Sequence, residues 1–175
     1  MEFLAQFHPK IIHFPIAFLL VYVLLELIGA AFKKDFFSKT AHLFLLFGVL
    51  GAVAAVLTGN QAEDAFEGWN KTTHAILETH QTYANITLWY FTALLVIRTF
   101  LVLRKKFNNI FKYLFVILAF IGAYFVYQTG EHGGQMVFKH GVGTQFHNEA
   151  SSIRDSLKEI ISDQRDKIDS LTTAK

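Results

Sequence analysis

Four apolar runs, 11–32, 41–58, 84–103 and 110–127, set what this chain can fold into. Each is about 18 to 22 residues, the length a helix needs to cross roughly 30 Å of hydrocarbon. A soluble helical bundle must keep a polar face on every helix, and these runs are apolar all round. With 53% hydrophobic composition and 19 Phe in 175 residues, the chain holds more apolar mass than one soluble core of its size consumes, so the excess faces lipid. The expected fold is an all-α integral membrane protein. A four-transmembrane-helix bundle occupies 1–148, and an outer amphipathic C-terminal helix occupies 149–175.

The opening segment, with Glu2 and a single Lys10, lacks the basic region and small-residue cleavage site of a secretory signal, so the first run is expected to stay as a helix. Orientation follows from the short loops, because Lys and Arg concentrate on the cytoplasmic side. Lys33, Lys34 and Lys39 follow the first run, and Arg104, Lys105, Lys106 and Lys112 follow the third. The loop 59–83 carries Glu63, Asp64, Glu67 and Glu78 against Lys71. The expected localisation is therefore the inner (cytoplasmic) membrane, multi-pass, with both termini and the long loop on the outer, periplasmic side.

That orientation sorts the histidines. His8 and His13 open the first run, His74 and His80 precede the third, and His132, His140 and His147 follow the fourth, so seven of the eight lie at the outer boundary. His42 alone sits at the inner end, at the start of the second run. A single interfacial His is most often structural, since its amphipathic ring caps helix ends and bonds carbonyls. Seven drawn from three separate segments call for more than capping.

Three further chemistries fit such a cluster. Non-covalent haem needs two imidazoles from facing helices and an apolar wall. His13 and His80 enter at comparable depth, with Phe7, Phe14, Trp69, Trp89, Tyr83 and Tyr90 near them in sequence. On a helix His8 and His13 diverge by about 140°, and His74 and His80 by about 120°, so either one iron is shared across helices or two sites form. A divalent metal ion, zinc, copper or iron, would draw on His8, His13, His74, His80, His132 and His140 with nearby carboxylates, although no spacing matches an established zinc signature. Imidazoles at an interface also titrate near neutrality and relay protons.

Composition excludes other classes. The absence of cysteine removes disulfides, thiolate zinc sites, iron–sulfur clusters and covalently attached haem. A formal charge of +2, dispersed along the chain, gives no footprint for nucleic acid. No nucleophile elbow, phosphate-binding glycine loop or framed carboxylate pair is present.

Two local motifs sharpen the picture. His8-Pro9 and His13-Phe14-Pro15 place the chain's two prolines where a helix begins, which fixes how both imidazoles are presented. The stretch 129–143, with glycines at Gly130, Gly133, Gly134, Gly141 and Gly143 around His132 and His140, is expected to break the fourth helix and admit a close approach by a neighbour or ligand. Together these ends resemble a family of bacterial four-helix membrane proteins, domain of unknown function 2231, over about 7–144. The resemblance implies a membrane cytochrome of the four-helix haem type, related to domains fused to electron-transfer modules. By motif it singles out His8, His13, His132 and His140, with His74 and His80 matching the outer-loop histidines.

Intramembrane charge is costly and usually paired. Glu26 and Arg98 lie at equal depth, about two turns inside the inner boundary, which predicts an ion pair that fixes helix packing. A proton or quinone site is its functional counterpart. Gly48, Gly51, Ala52, Ala54 and Ala55 mark the second helix as the most central. In the tail, Ile153, Leu157, Ile161, Ile168 and Leu171 recur at helical steps interrupted by Gln164, which suits the lipid surface, a homo-oligomer or a partner subunit.

The expected function is a membrane-bound haem b protein transferring electrons, with His13, His80, His74 and His140 as cofactor ligands. A non-haem metal protein or a structural subunit of a larger membrane assembly stands as the alternative.

Overall fold

The computed structural model describes residues 2–32 and 34–173. Lys33 of the basic loop lies outside them, as do the side chains at 145–151 and 170–173, among them His147 and Leu171. Among the described residues all regular structure is α-helical. Two single turns, α1 (Glu2–Ala5) and α2 (His8–Ile11), precede α3 (His13–Phe32), α4 (Asp35–Asp64), α5 (Lys71–Leu103), α6 (Asn109–His140) and α7 (Gln145–Thr173). Four segments are long and apolar enough to cross a membrane: His8–Phe32, Asp35–Asp64, Lys71–Leu103 and Asn109–His140.

The helices overrun the apolar runs, mostly at the end that carries the chain termini, although α4 also starts early at Asp35. α4 continues to Asp64, α5 begins at Lys71 and α6 reaches His140. At 1.5 Å per residue α5 is about 50 Å long against about 30 Å of hydrocarbon, so the bundle projects several turns beyond the membrane. The segment read as a long loop is therefore mostly helix. Asn70 starts α5 with a capping box, accepting from Thr72 N at 2.9 Å and Thr73 N at 3.0 Å while Thr73 Oγ1 receives the Asn70 N–H.

The glycine-rich stretch does not break the fourth helix, a correction to the sequence expectation. Gly130, Gly133 and Gly134 lie within α6, which stops only at Gly141, where φ is 66°. A helical glycine costs about 1 kcal/mol relative to alanine, a penalty that packing along the length of α6 outweighs. The left-handed conformation at Gly141 is one an L side chain resists.

α3 lies against α4 and α6, and α5 against the same two, so α3 and α5 face each other across the bundle axis. Tyr22 and Phe91 meet there edge to face with centroids 6.1 Å apart. Glycine lets the chains close in around them. A methyl at Gly48 would overlap Leu19, and one at Gly122 would overlap Phe91. Close approach does not fall to α4 alone: it is no more buried than the other spans, although it packs against α1, α2, α3 and α5. Small residues on both α4 and α6 share that role.

The two hairpins, α3–α4 and α5–α6, repeat one another. Glu26 and Arg98 are 72 residues apart, and the same interval links His8 to His80, Pro15 to Thr87, Leu19 to Phe91 and Tyr22 to Leu94, with every member from Pro15 onward buried. In the returning helices an interval one residue shorter links Gly51 to Gly122, Thr58 to Thr129 and Gly59 to Gly130. An approximate two-fold axis thus runs along the bundle.

Candidate functional site at the histidine end of the bundle

The repeat brings His8 and His80 to matching places at the end of the bundle that carries the termini, within electrostatic reach of each other, and His132 within reach of His80. Each ring is held by a hydrogen bond at Nδ1. The Thr58 hydroxyl donates to Ala54 O at 2.8 Å, so its oxygen accepts from His8 Nδ1–H at 3.2 Å. His80 Nδ1–H donates to the Thr129 carbonyl at 2.9 Å. His132 Nδ1–H donates to the Gln128 carbonyl at 2.7 Å, and its ring stacks on Tyr83 with centroids 5.4 Å apart.

These bonds fix the tautomer. With the proton on Nδ1, Nε2 carries the lone pair in all three rings, the arrangement in which an imidazole ligates a metal while its other nitrogen is oriented by a second partner. Glycine adjoins two of the rings: a methyl at Gly59 would stand 3.0 Å from His8 Cε1, and one at Gly133 would stand 3.2 Å from His80 Cε1. On α6, Gly130 and Gly134 have nothing within 4 Å of where a side chain would begin.

The other sequence candidates lie apart from this group. His13 is exposed on the first turn of α3, one face away from His8. His74 is exposed near the start of α5, 3.4 Å from Glu78 and edge-on to Trp69 at 6.5 Å. His140 closes α6, about two turns beyond His132. Sequence reading missed Thr58, Thr129 and Gly59 as supports, whereas Gly133 belongs to the stretch expected to admit a close approach and adjoins His80. The repeated Thr-Gly pair, 58–59 and 129–130, was the available signal.

At the opposite end, Arg98 is completely buried and Glu26 is 2% exposed. Arg98 Nη1 pairs with Glu26, Nη2 donates to Ser38 O at 2.9 Å and Ser38 Oγ at 3.1 Å, and the guanidinium stacks on Phe107 at 4.7 Å. His42 sits two turns into α4 rather than at its start, 3.4 Å from Thr99 Oγ1. The pair closes the interior of one hairpin against the other.

A four-helix polytopic membrane bundle, with a buried ion pair near one end and three Nδ1-anchored histidines at the other, defines the class of this protein. Its family is equally plain: the model described as a predicted membrane protein, domain of unknown function 2231, matches residues 5–146, and the chain belongs to that family. No curated protein and no solved structure matches it.

Proposed function

We propose that this protein is a membrane-anchored haem b protein that transfers electrons, with His8 and His80 as the residues that would hold the haem. One observation carries the reading: the two imidazoles stand at equivalent positions of the repeated hairpins, each anchored through Nδ1 with Nε2 left as the donor nitrogen. The donor set fits the group. Haem asks the protein for two imidazoles because the porphyrin supplies the rest of the iron's coordination, whereas zinc or copper asks for three or four side chains. Among the described residues, no three of His, Asp and Glu gather as an ion shell, which favours haem over a bare metal ion.

Haem bound there would supply a one-electron couple. The chain's own contribution is positional. Thr58 and the Thr129 carbonyl set ring orientation, and the stacked Tyr83–His132 pair forms an aromatic wall next to His80. Lys34, Lys105 and Lys106 at the other end support a reading in which the histidine end lies outside the cytoplasm, on an inner-membrane protein whose redox partner is periplasmic. His13 and His74, two of the ligands expected from sequence, give way to His8 in this reading.

The test is a dithionite-reduced minus air-oxidised visible spectrum of the detergent-purified protein, with total metal assayed on the same sample. Sharp Soret and α bands at stoichiometric haem support the reading, and their loss in His8→Ala and His80→Ala supports the ligand choice. A colourless wild-type protein that also fails to take up added haemin overturns it.

A further inference from the structure

We propose that α7 is a parallel dimerisation helix that joins two copies of this chain outside the membrane. Its apolar face is exposed: Ile153, Leu157, Ile160, Ile161 and Ile168 each show more than half of their surface. α7 makes no extended packing with the bundle among the described residues.

The sequence on that stripe selects the occupant. With Ile161 and Ile168 at a, the d positions are Leu157, Gln164 and Leu171. β-Branched residues at a with Leu at d favour two parallel strands, and the polar core residues, Arg154 at the first a position and Gln164 at d, set the register at a cost in stability. In that register Lys158 and Arg165 fall at e, while Ile153, Ile160 and Lys167 fall at g. A parallel pair sets g against e′, so Lys158, Arg165 and Lys167 meet Ile153, Ile160 and Thr172, and the one like-charge approach is Arg154 at the first a position, at the end of the stripe where its long stem reaches water. An antiparallel pair sets e against e′, where Lys158 and Arg165 repel. A membrane is compatible with this answer: two copies inserted alike send α7 out on the same side, and a two-fold axis along the normal makes the helices parallel where α7 runs along that axis.

The lipid surface suits the helix poorly. Interfacial helices carry Lys and Arg on the polar face and large aromatic residues on the apolar one. Here Asp155, Glu159, Asp163, Asp166 and Asp169 occupy the b, c and f positions, and no aromatic residue follows Phe146. The outward face is acidic and the inward face aliphatic, the pattern of a helix pair in water.

The natural absence of cysteine makes the test direct. Single variants of the full chain, Leu157→Cys, Ile161→Cys, Ile168→Cys and the outward-facing Asp166→Cys, are oxidised in liposomes with copper phenanthroline, which joins two thiols as a disulfide and takes up their electrons. The expected result is conversion to the mass of two chains for the first three variants, with Asp166→Cys remaining at the mass of one. A match at all three core positions requires parallel, in-register helices. Cross-linking at one core position alone, at none, or equally at Asp166 overturns the proposal. As a second readout, Ile161→Asp with Ile168→Asp should shift the detergent-solubilised particle from two chains to one with the helical content of the bundle unchanged. An unchanged mass of two chains would show that dimerisation lies elsewhere.

Discussion

Glu26 and Arg98 occupy the same position in the two hairpins and close on each other across the bundle axis, so the repeat carries opposite charges where its two-fold axis passes. Symmetry of the backbone coexists with asymmetry of charge, which any pairing of two like side chains at this depth would forbid. Arg98 is further tied to Ser38 and stacked on Phe107 and Phe115, while Glu26 has the guanidinium as its partner.

Breaking this pair leaves an uncompensated buried charge. Arg98→Ala or Glu26→Ala should destabilise by about 3–5 kcal/mol, as removal of one partner of a buried pair does. The exchange Glu26→Arg with Arg98→Glu should recover part of that loss, because the two sites are equivalent along the axis. Recovery stays incomplete since Ser38 and the phenylalanines remain on one side. Thermal unfolding in detergent of the two single variants and the exchange measures it, and an exchange no better than Arg98→Ala would refute the equivalence.

Glycine at the helix crossings serves packing, whereas Gly130 and Gly134 on the last turns of α6 do not. Gly122→Ala must push back Phe91, which is fully buried and edge-on to Tyr22, so it should cost about 1–3 kcal/mol by overpacking. Gly134→Ala meets nothing within 4 Å and should stabilise by up to about 1 kcal/mol through helix propensity. Opposite signs in unfolding midpoint are expected, and a stabilising Gly122→Ala would show that the crossing is loose.

Thr58 and Thr129 support their histidines by different atoms. His8 bonds the Thr58 side chain, whereas His80 bonds the Thr129 main-chain carbonyl. Thr58→Val should therefore loosen the His8 ring and weaken haem retention by about 10–100-fold, the scale of an outer-shell ligand partner. Thr129→Val keeps the carbonyl and should change retention little. Haemin titration of both variants distinguishes them, and equal effects would locate the support elsewhere.

The exposed histidines should be dispensable. His13→Ala and His74→Ala remove rings that lie outside the three-histidine group, so both variants should keep the full Soret intensity that His8→Ala and His80→Ala lose. Loss of pigment in His13→Ala would return the ligand role to the position favoured by sequence depth.

Much of the architecture was legible in the chain. The apolar runs at 11–32, 41–58, 84–103 and 110–127 all fell within the four spanning segments, because hydrocarbon forces every backbone polar group to be satisfied within the segment. The Ile and Leu stripe of the tail likewise became α7. Helix ends on the histidine side were not legible. In water a helix is free to continue, and residues such as Gly130 and Gly134, weak formers on their own, are held by the packing of the rest of α6.

The sequence by itself determined that this chain spans a membrane four times and gathers all its histidines but His42 toward one end, because hydropathy over a helix length is a local property that needs no partner to act. Tertiary structure alone decided which histidines stand together. Residues His8 and His13 are neighbours in the chain, yet the helical turn sends one toward the axis and the other outward, and only the packing of α3 and α5 across the diagonal brings His8 to His80.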